Sequence, residues 1–228
     1  MRKLLALAFI CLSFTTIGNY SVSPKGNAVK LVESDHAAWS QVYDNLHLET
    51  IGLNREVFEY ALRGMQKIGP ARHVLSIADL SKPSSQKRLY VIDLENNKLL
   101  FHTYVAHGRN SGELNAMQFS NTSSSFQSSL GFYKTMNTYQ GKHGLSLKLQ
   151  GLEKGINDNA YSRAIVIHGA DYVCEDFIRR TGRLGRSQGC PAVPNEVTKP
   201  IIAAIKGGTC LFVYSPSQAY LQQSSFLI

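Results

Sequence analysis

Cysteine is scarce in this chain, four in 228 residues, which excludes a small disulfide-built domain. No paired-Cys or His-x-x-x-His spacing marks a metal centre. His143, His168 and Cys190 form the one ligand set worth weighing, and the reading is that no metal and no cofactor is held. Beyond the first dozen residues no apolar run is long enough to cross a bilayer. Internal repeats are absent, and proline and glycine, at 7 and 18 residues, are too few for a low-complexity chain. Acidic residues are the minority charge, 16 against 24 basic, for a net +8. That balance suits an anionic partner such as a wall polymer or a membrane surface. Nucleic acid is not expected, because no dense Lys/Arg run is interleaved with aromatics.

What is present is a normal globular composition, 43% hydrophobic, enough for one medium domain with an extension. Arg2 and Lys3 precede a short apolar run from Leu4 to Leu12, which reads as a secretory signal over 1–18, with an uncleaved anchor as the alternative. Export would remove Cys11 and leave Cys174, Cys190 and Cys210, an odd set in which one thiol stays free or pairs between chains. Residues 19–33 read as a linker. Trp39, Val42, Tyr43 and Leu46 share one stripe of a helix over 36–46, capped by Ser34 or Asp35. Val57, Phe58, Ala61, Leu62 and Met65 mark a second over 54–67, capped by Asn54 and stopped at Gly69-Pro70. These form a small N-terminal helical unit, 34–70. Strands are expected over 73–79, 88–94, 99–106, 131–135, 145–149, 164–168 and 210–214, with a long loop over 107–127 and helices over 172–179 and 195–205. The fold class is therefore mainly β, a sandwich or barrel over 73–215, with short helices and a C-terminal tail over 216–228.

One pairing carries chemistry. Cys190 sits in Ser187-Gln188-Gly189-Cys190-Pro191, and His168-Gly169 ends the apolar run Ala164-Ile165-Val166-Ile167. A cysteine nucleophile needs a base or cation to make its thiolate, and a backbone able to present an oxyanion hole. His168 is the base by this reading, and Gly189 gives the turn its freedom. Arg183 and Arg186, just upstream, are expected to make the turn electropositive and lower the thiol pKa. His107-Gly108 and His143-Gly144 repeat the dipeptide without a following Cys turn, so they read as loop histidines, either able to line a substrate groove.

These residues resemble the L,D-transpeptidase (YkuD-type) catalytic domain, whose signature reads His-Gly, a spacer, then Ser/Thr-His-Gly-Cys. The likeness is to a divergent branch with His-Gly-Ala-Asp-Tyr before Gly-Arg-Ser-Gln-Gly-Cys-Pro, here His168 to Tyr172 and Gly185 to Pro191. The resemblance covers roughly 73–215. It implies an L,D-transpeptidase-like domain acting on peptidoglycan stem peptides: Cys190 as nucleophile forming a thioester, His168 as base, the Gly169 carbonyl orienting its ring, and backbone N–H groups around Gly189 and Cys190 holding the oxyanion. Ser187, Gln188, Arg186, Arg183, His143 and Tyr172 are the expected substrate contacts. The chain departs from the pattern where Gln188 replaces a histidine, and where Val193 and its neighbours replace an arginine after the nucleophile. A carboxylate clamp must then come from Arg163, Arg183 or Arg186. The resemblance implies a periplasmic or cell-surface location. A cysteine peptidase hydrolysing the same peptides and a non-catalytic wall-binding module are the rival readings.

Overall fold

A computed structural model of the chain describes residues 36–228. The expected signal segment, the linker and the Ser34 or Asp35 cap lie outside the described residues.

Two helices open the described chain. The first, α1, runs over residues 36–45. It turns Val42 and Tyr43 inward, and the Tyr43 hydroxyl donates to Leu53 O at 2.6 Å. α2 follows at Arg55–Ile68. Asn54 caps it, its Oδ1 accepting from Glu56 N at 2.7 Å, and Gly69 ends it in the left-handed conformation with φ 58°. The apolar stripe of α2 enters the same core as the strands.

The strands are β1 (Val74–Asp79), β2 (Leu89–Asp93), β3 (Lys98–Thr103), β4 (Gly131–Gly141), β5 (Gly144–Gly151), β6 (Val166–Gly169), β7 (Ala192–Val193) and β8 (Cys210–Tyr214). They form one sheet in the order β3-β2-β1-β8-β4-β5-β6-β7. The β1–β8 and β6–β7 pairs are parallel and the rest antiparallel. The sheet curls until its edges nearly meet: just after β3, Ala106 N donates to Ala192 O of β7 at 2.8 Å. Curling of this kind leaves little unpaired edge and gives the mainly β fold expected from the sequence. The remaining helices are α3 (Glu175–Thr181), α4 (Asn195–Ile205) and α5 (Gln218–Gln223).

Several elements differ from the sequence expectation. β4 and β5 run on into a long hairpin with its turn at Lys142-His143, because the polar stretch Asn137 to Gln140 is a half-exposed strand whose alternation is weak. α3 starts at Glu175 rather than Tyr172, behind the turn that Ala170 O and Val173 N close at 3.0 Å. The expected tail instead holds α5, fastened by a buried carboxylate: Glu153 accepts from Tyr220 OH, from Phe132 N and from the Ser224 hydroxyl. Burial raises the Glu153 pKa, and these donors oppose the shift.

The seat of α2 on the sheet depends on Gly64, where an added Cβ would come within 2.1 Å of the Phe132 ring. Phe132 in turn stacks on Phe212 at 4.2 Å between centroids, so it has little room to retreat. Gly64→Ala is expected to destabilise the fold by about 1–3 kcal/mol through overpacking, against the gain in helix propensity. Urea denaturation checks it; an unchanged or higher midpoint overturns this account of the packing.

Candidate functional site

Sheet register brings the two chemical residues together. His168 on β6 pairs with Ser146 of β5 on one side and with Ala192 of β7 on the other. Cys190 lies two positions before Ala192, which puts it at the level of Val166 in the parallel β6–β7 register. Both side chains line one cavity of about 440 Å³, with His143, Lys142 and Tyr139 from the β4–β5 hairpin, Arg163 from the loop before β6, and Tyr172, Arg186 and Gln188.

The His168 ring is held from two directions. Its Nδ1 donates to Gly169 O at 2.8 Å, and the His143 ring stacks on it with centroids 4.5 Å apart and planes 23° from parallel. That bond places the proton on Nδ1 and leaves Nε2 as a free acceptor, with no partner among the described residues. Gly169 itself is required, because a Cβ there would meet Asn195 Oδ1 at 2.3 Å and Thr198 Oγ1 at 2.6 Å. Asn195, at the start of α4, also donates to Asp171 at 2.6 Å, so the His-Gly-Ala-Asp run is locked to that helix.

The Cys190 turn is knitted by Ser187. Its hydroxyl accepts from Gly189 N at 3.0 Å and donates to Cys190 O at 2.6 Å. The Gly189 N–H is therefore already engaged, whereas the Cys190 N–H has no hydrogen-bond partner among the described residues and is the amide left for an oxyanion. Gly189 has φ 120° and would push a Cβ to 2.7 Å from Gln127 O, so only glycine fits. In the resting state the thiol points to Ala164 O at 3.8 Å. Tyr172 packs on Gly185, where a Cβ would come within 2.4 Å of Tyr172 Cβ. Its phenol is pushed up to about 12 by burial and by the neighbouring Cys190.

The electrostatics correct one expectation. Burial raises the Cys190 pKa; the Val166 N–H, Arg163 and Lys142 act in the opposite sense without reversing it. Arg183 and Arg186 are not among the charges that act on the thiol, and they share one carboxylate, Glu113. Arg183 Nε reaches Glu113 Oε2 at 2.9 Å, and Arg186 Nη1 reaches Glu113 Oε1 at 2.6 Å. Arg183 is not part of the cavity wall; Ser187 is, and its hydroxyl is engaged within the turn by Gly189 N and Cys190 O. Burial lowers the His168 pKa; the Gly169 carbonyl opposes this, while His143 and Lys142 add to it. At neutral pH the site therefore rests as a neutral thiol with a neutral imidazole able to accept its proton, the arrangement general-base activation of a nucleophile requires.

Sequence reading missed Lys142 and Tyr139, which reach the cavity only because the hairpin is long, and Ser124 and Phe126, which come from the aperiodic loop. The described residues hold no group of three or more His, Cys, Asp or Glu arranged for a metal ion, and Cys174, Cys190 and Cys210 are all free thiols.

Among solved structures, the chain is similar to an L,D-transpeptidase from Mycobacterium smegmatis at 11% identity and TM-score 0.41, covering 63% of this chain and 59% of that one. An L,D-transpeptidase from Mycobacterium tuberculosis H37Rv matches at 15% and 0.38, over 63% and 58%. The helical cell shape determining protein of Campylobacter jejuni matches at 12% and 0.42, over 64% and 48%. The chain thus spans less than two thirds of these relatives. No curated protein sequence matches it. The family model described as L,D-transpeptidase catalytic domain matches residues 49–214, most of the chain and all of the cavity wall, and the chain belongs to that family.

Proposed function

We propose that this chain is an exported acyltransferase that remodels peptidoglycan stem peptides through a Cys190 thioester. The observation that carries the reading is the Cys190 thiol and the free Nε2 of His168 lining one cavity of a chain of this family. Nε2 takes the thiol proton as sulfur attacks the carbonyl carbon of the bond between an L- and a D-centre. The Cys190 N–H meets the developing oxyanion, and His168 then returns the proton to the departing amine. In the second half-reaction His168 deprotonates an acceptor amine, which attacks the thioester, forms the cross-link and releases the thiol; water in its place gives hydrolysis. Export would put the enzyme where peptidoglycan lies, in the periplasm or at the cell surface. No helix among the described residues is long and apolar enough to cross a membrane.

The test is incubation of the reduced protein with disaccharide-tetrapeptide muropeptides, followed by mass spectrometry, with Cys190→Ala as blank. Cys190-dependent dimers or exchanged terminal residues are expected. Shortened peptides alone would convert the assignment to a peptidase, and no Cys190-dependent product would leave a wall-binding module.

A further inference from the structure

Three cations line the cavity, Lys142, Arg163 and Arg186, and they differ in what they have left to give. Arg186 has its charge paired with the Glu113 carboxylate, and its Nη1 also donates to the carbonyls of Arg109 and Gly112. Arg163 staples the long loop: Nη1 donates to Ser120 O at 2.7 Å and Ser129 Oγ at 2.6 Å, and Nη2 to Ser125 Oγ at 3.2 Å and Gln127 O at 2.8 Å. Four of the five guanidinium N–H groups are thereby spent on neutral oxygens of the fold. Lys142 is the opposite case. It is exposed at the tip of the β4–β5 hairpin and has no hydrogen bond or ion pair among the described residues. Its place is nevertheless fixed, because the adjoining His143 stacks on His168 at 4.5 Å and holds the tip over the cavity. Its charge reaches both reacting groups, lowering the pKa of His168 and that of Cys190.

We propose that Lys142 is the anion-reading residue of this site, selecting ligands that present a carboxylate close to the carbon attacked by Cys190. A lysine suits this better than a forked guanidinium would, since a point charge on a flexible stem accepts a carboxylate in several orientations. The assignment rests on Cys190 being the nucleophile under the proposed function, but its test requires no turnover.

The test compares alkylation of Cys190 by iodoacetate and by iodoacetamide, reagents of nearly equal size that differ by one negative charge, with rates read at the Cys190 peptide by mass spectrometry. Changing Lys142 also alters the reactivity of the thiol, but that change affects both reagents and cancels in their ratio. The iodoacetate-to-iodoacetamide ratio is expected to fall about threefold or more in Lys142→Ala at low ionic strength, further in Lys142→Glu, and to be retained in Lys142→Arg. High salt should erase most of the difference. Lys206→Ala, a lysine at the end of α4 outside the cavity wall, serves as the control and should leave the ratio unchanged. A ratio equal in wild type and Lys142→Ala overturns the assignment, and if muropeptide turnover still depends on Cys190, only the role of Lys142 falls. The expected ratios in a protein without turnover keep the anion site and remove the proposed function.

Discussion

Cys190→Ala is expected to abolish muropeptide turnover, and His168→Ala to lower it by about 10²–10⁴-fold. The two effects should not add. With the sulfur gone there is no nucleophile for the imidazole to activate, so the double variant should match Cys190→Ala alone. The pH profile separates general-base activation from a preformed ion pair. His168 is held below its ordinary value of 6.5, chiefly by burial, and Cys190 above its ordinary 9.0, again by burial. The active form has His168 deprotonated and the thiol protonated. The acid limb of kcat/KM should therefore lie below pH 6.5, where the imidazole gains its proton, and the alkaline fall above pH 9, with a broad plateau between. In His168→Ala the residual rate should instead climb with pH toward the raised thiol pKa, because hydroxide and water are then the remaining bases. An acid limb in wild type that coincides with thiolate formation, measured by ultraviolet absorbance, would mean a thiolate–imidazolium pair and would refute the neutral resting state.

The sequence disclosed some parts of this site and concealed others for identifiable physical reasons. Local rules sufficed for α2, whose cap residue, apolar stripe and terminal glycine are all encoded within the helix. They sufficed also for β8 and α4, whose bounds match the apolar runs. The Cys190 turn and the His168 strand were readable because a glycine-flanked cysteine and an apolar run ending in histidine are each local. What brought them side by side was not, since β7 is only the pair Ala192-Val193, recruited by its register with His168. The charge reading failed for a related reason. Arg183 and Arg186 look like a free basic cluster in sequence, and the carboxylate they share, Glu113, arrives from a distant loop. Lys142 was passed over because Asn137 to Gln140 carries too weak an alternation to announce that β4 continues to the cavity.

The Cys190 turn also depends on a residue that never reaches the cavity. Arg88 is fully buried and has no carboxylate within ion-pair distance among the described residues. Burial holds its pKa down to about 9, with Asp79 opposing the shift, so the side chain keeps its charge at neutral pH. Its donors go instead to the backbone. Nε and Nη2 reach Val105 O at 3.0 and 2.9 Å, Nη1 reaches Lys82 O at 2.6 Å, and Nη2 also reaches His107 Nδ1 at 2.8 Å. His107, its pKa lowered to about 4 by burial and by Arg88, passes the order on by donating from Nε2 to Gly112 O at 3.1 Å. The same stretch grips the turn: His107 O accepts from Ser187 N at 2.9 Å, and Arg109 N donates to Ser187 O at 2.8 Å. Arg88→Ala removes the guanidinium, leaves the buried Val105 carbonyl, the half-buried Lys82 carbonyl and an imidazole nitrogen without a donor, and opens a cavity. A loss of about 3–5 kcal/mol is expected, on the order of 10 °C in melting temperature for a chain of this size. Arg88→Lys should recover little, because one ammonium cannot span three acceptors set at the angles of a guanidinium fork. If both variants melt within about 2 °C of wild type, the buried arginine is dispensable. If they are destabilised as expected, iodoacetamide labelling of Cys190 under folded conditions should also change, because the turn that presents the thiol has lost the segment it is bonded to.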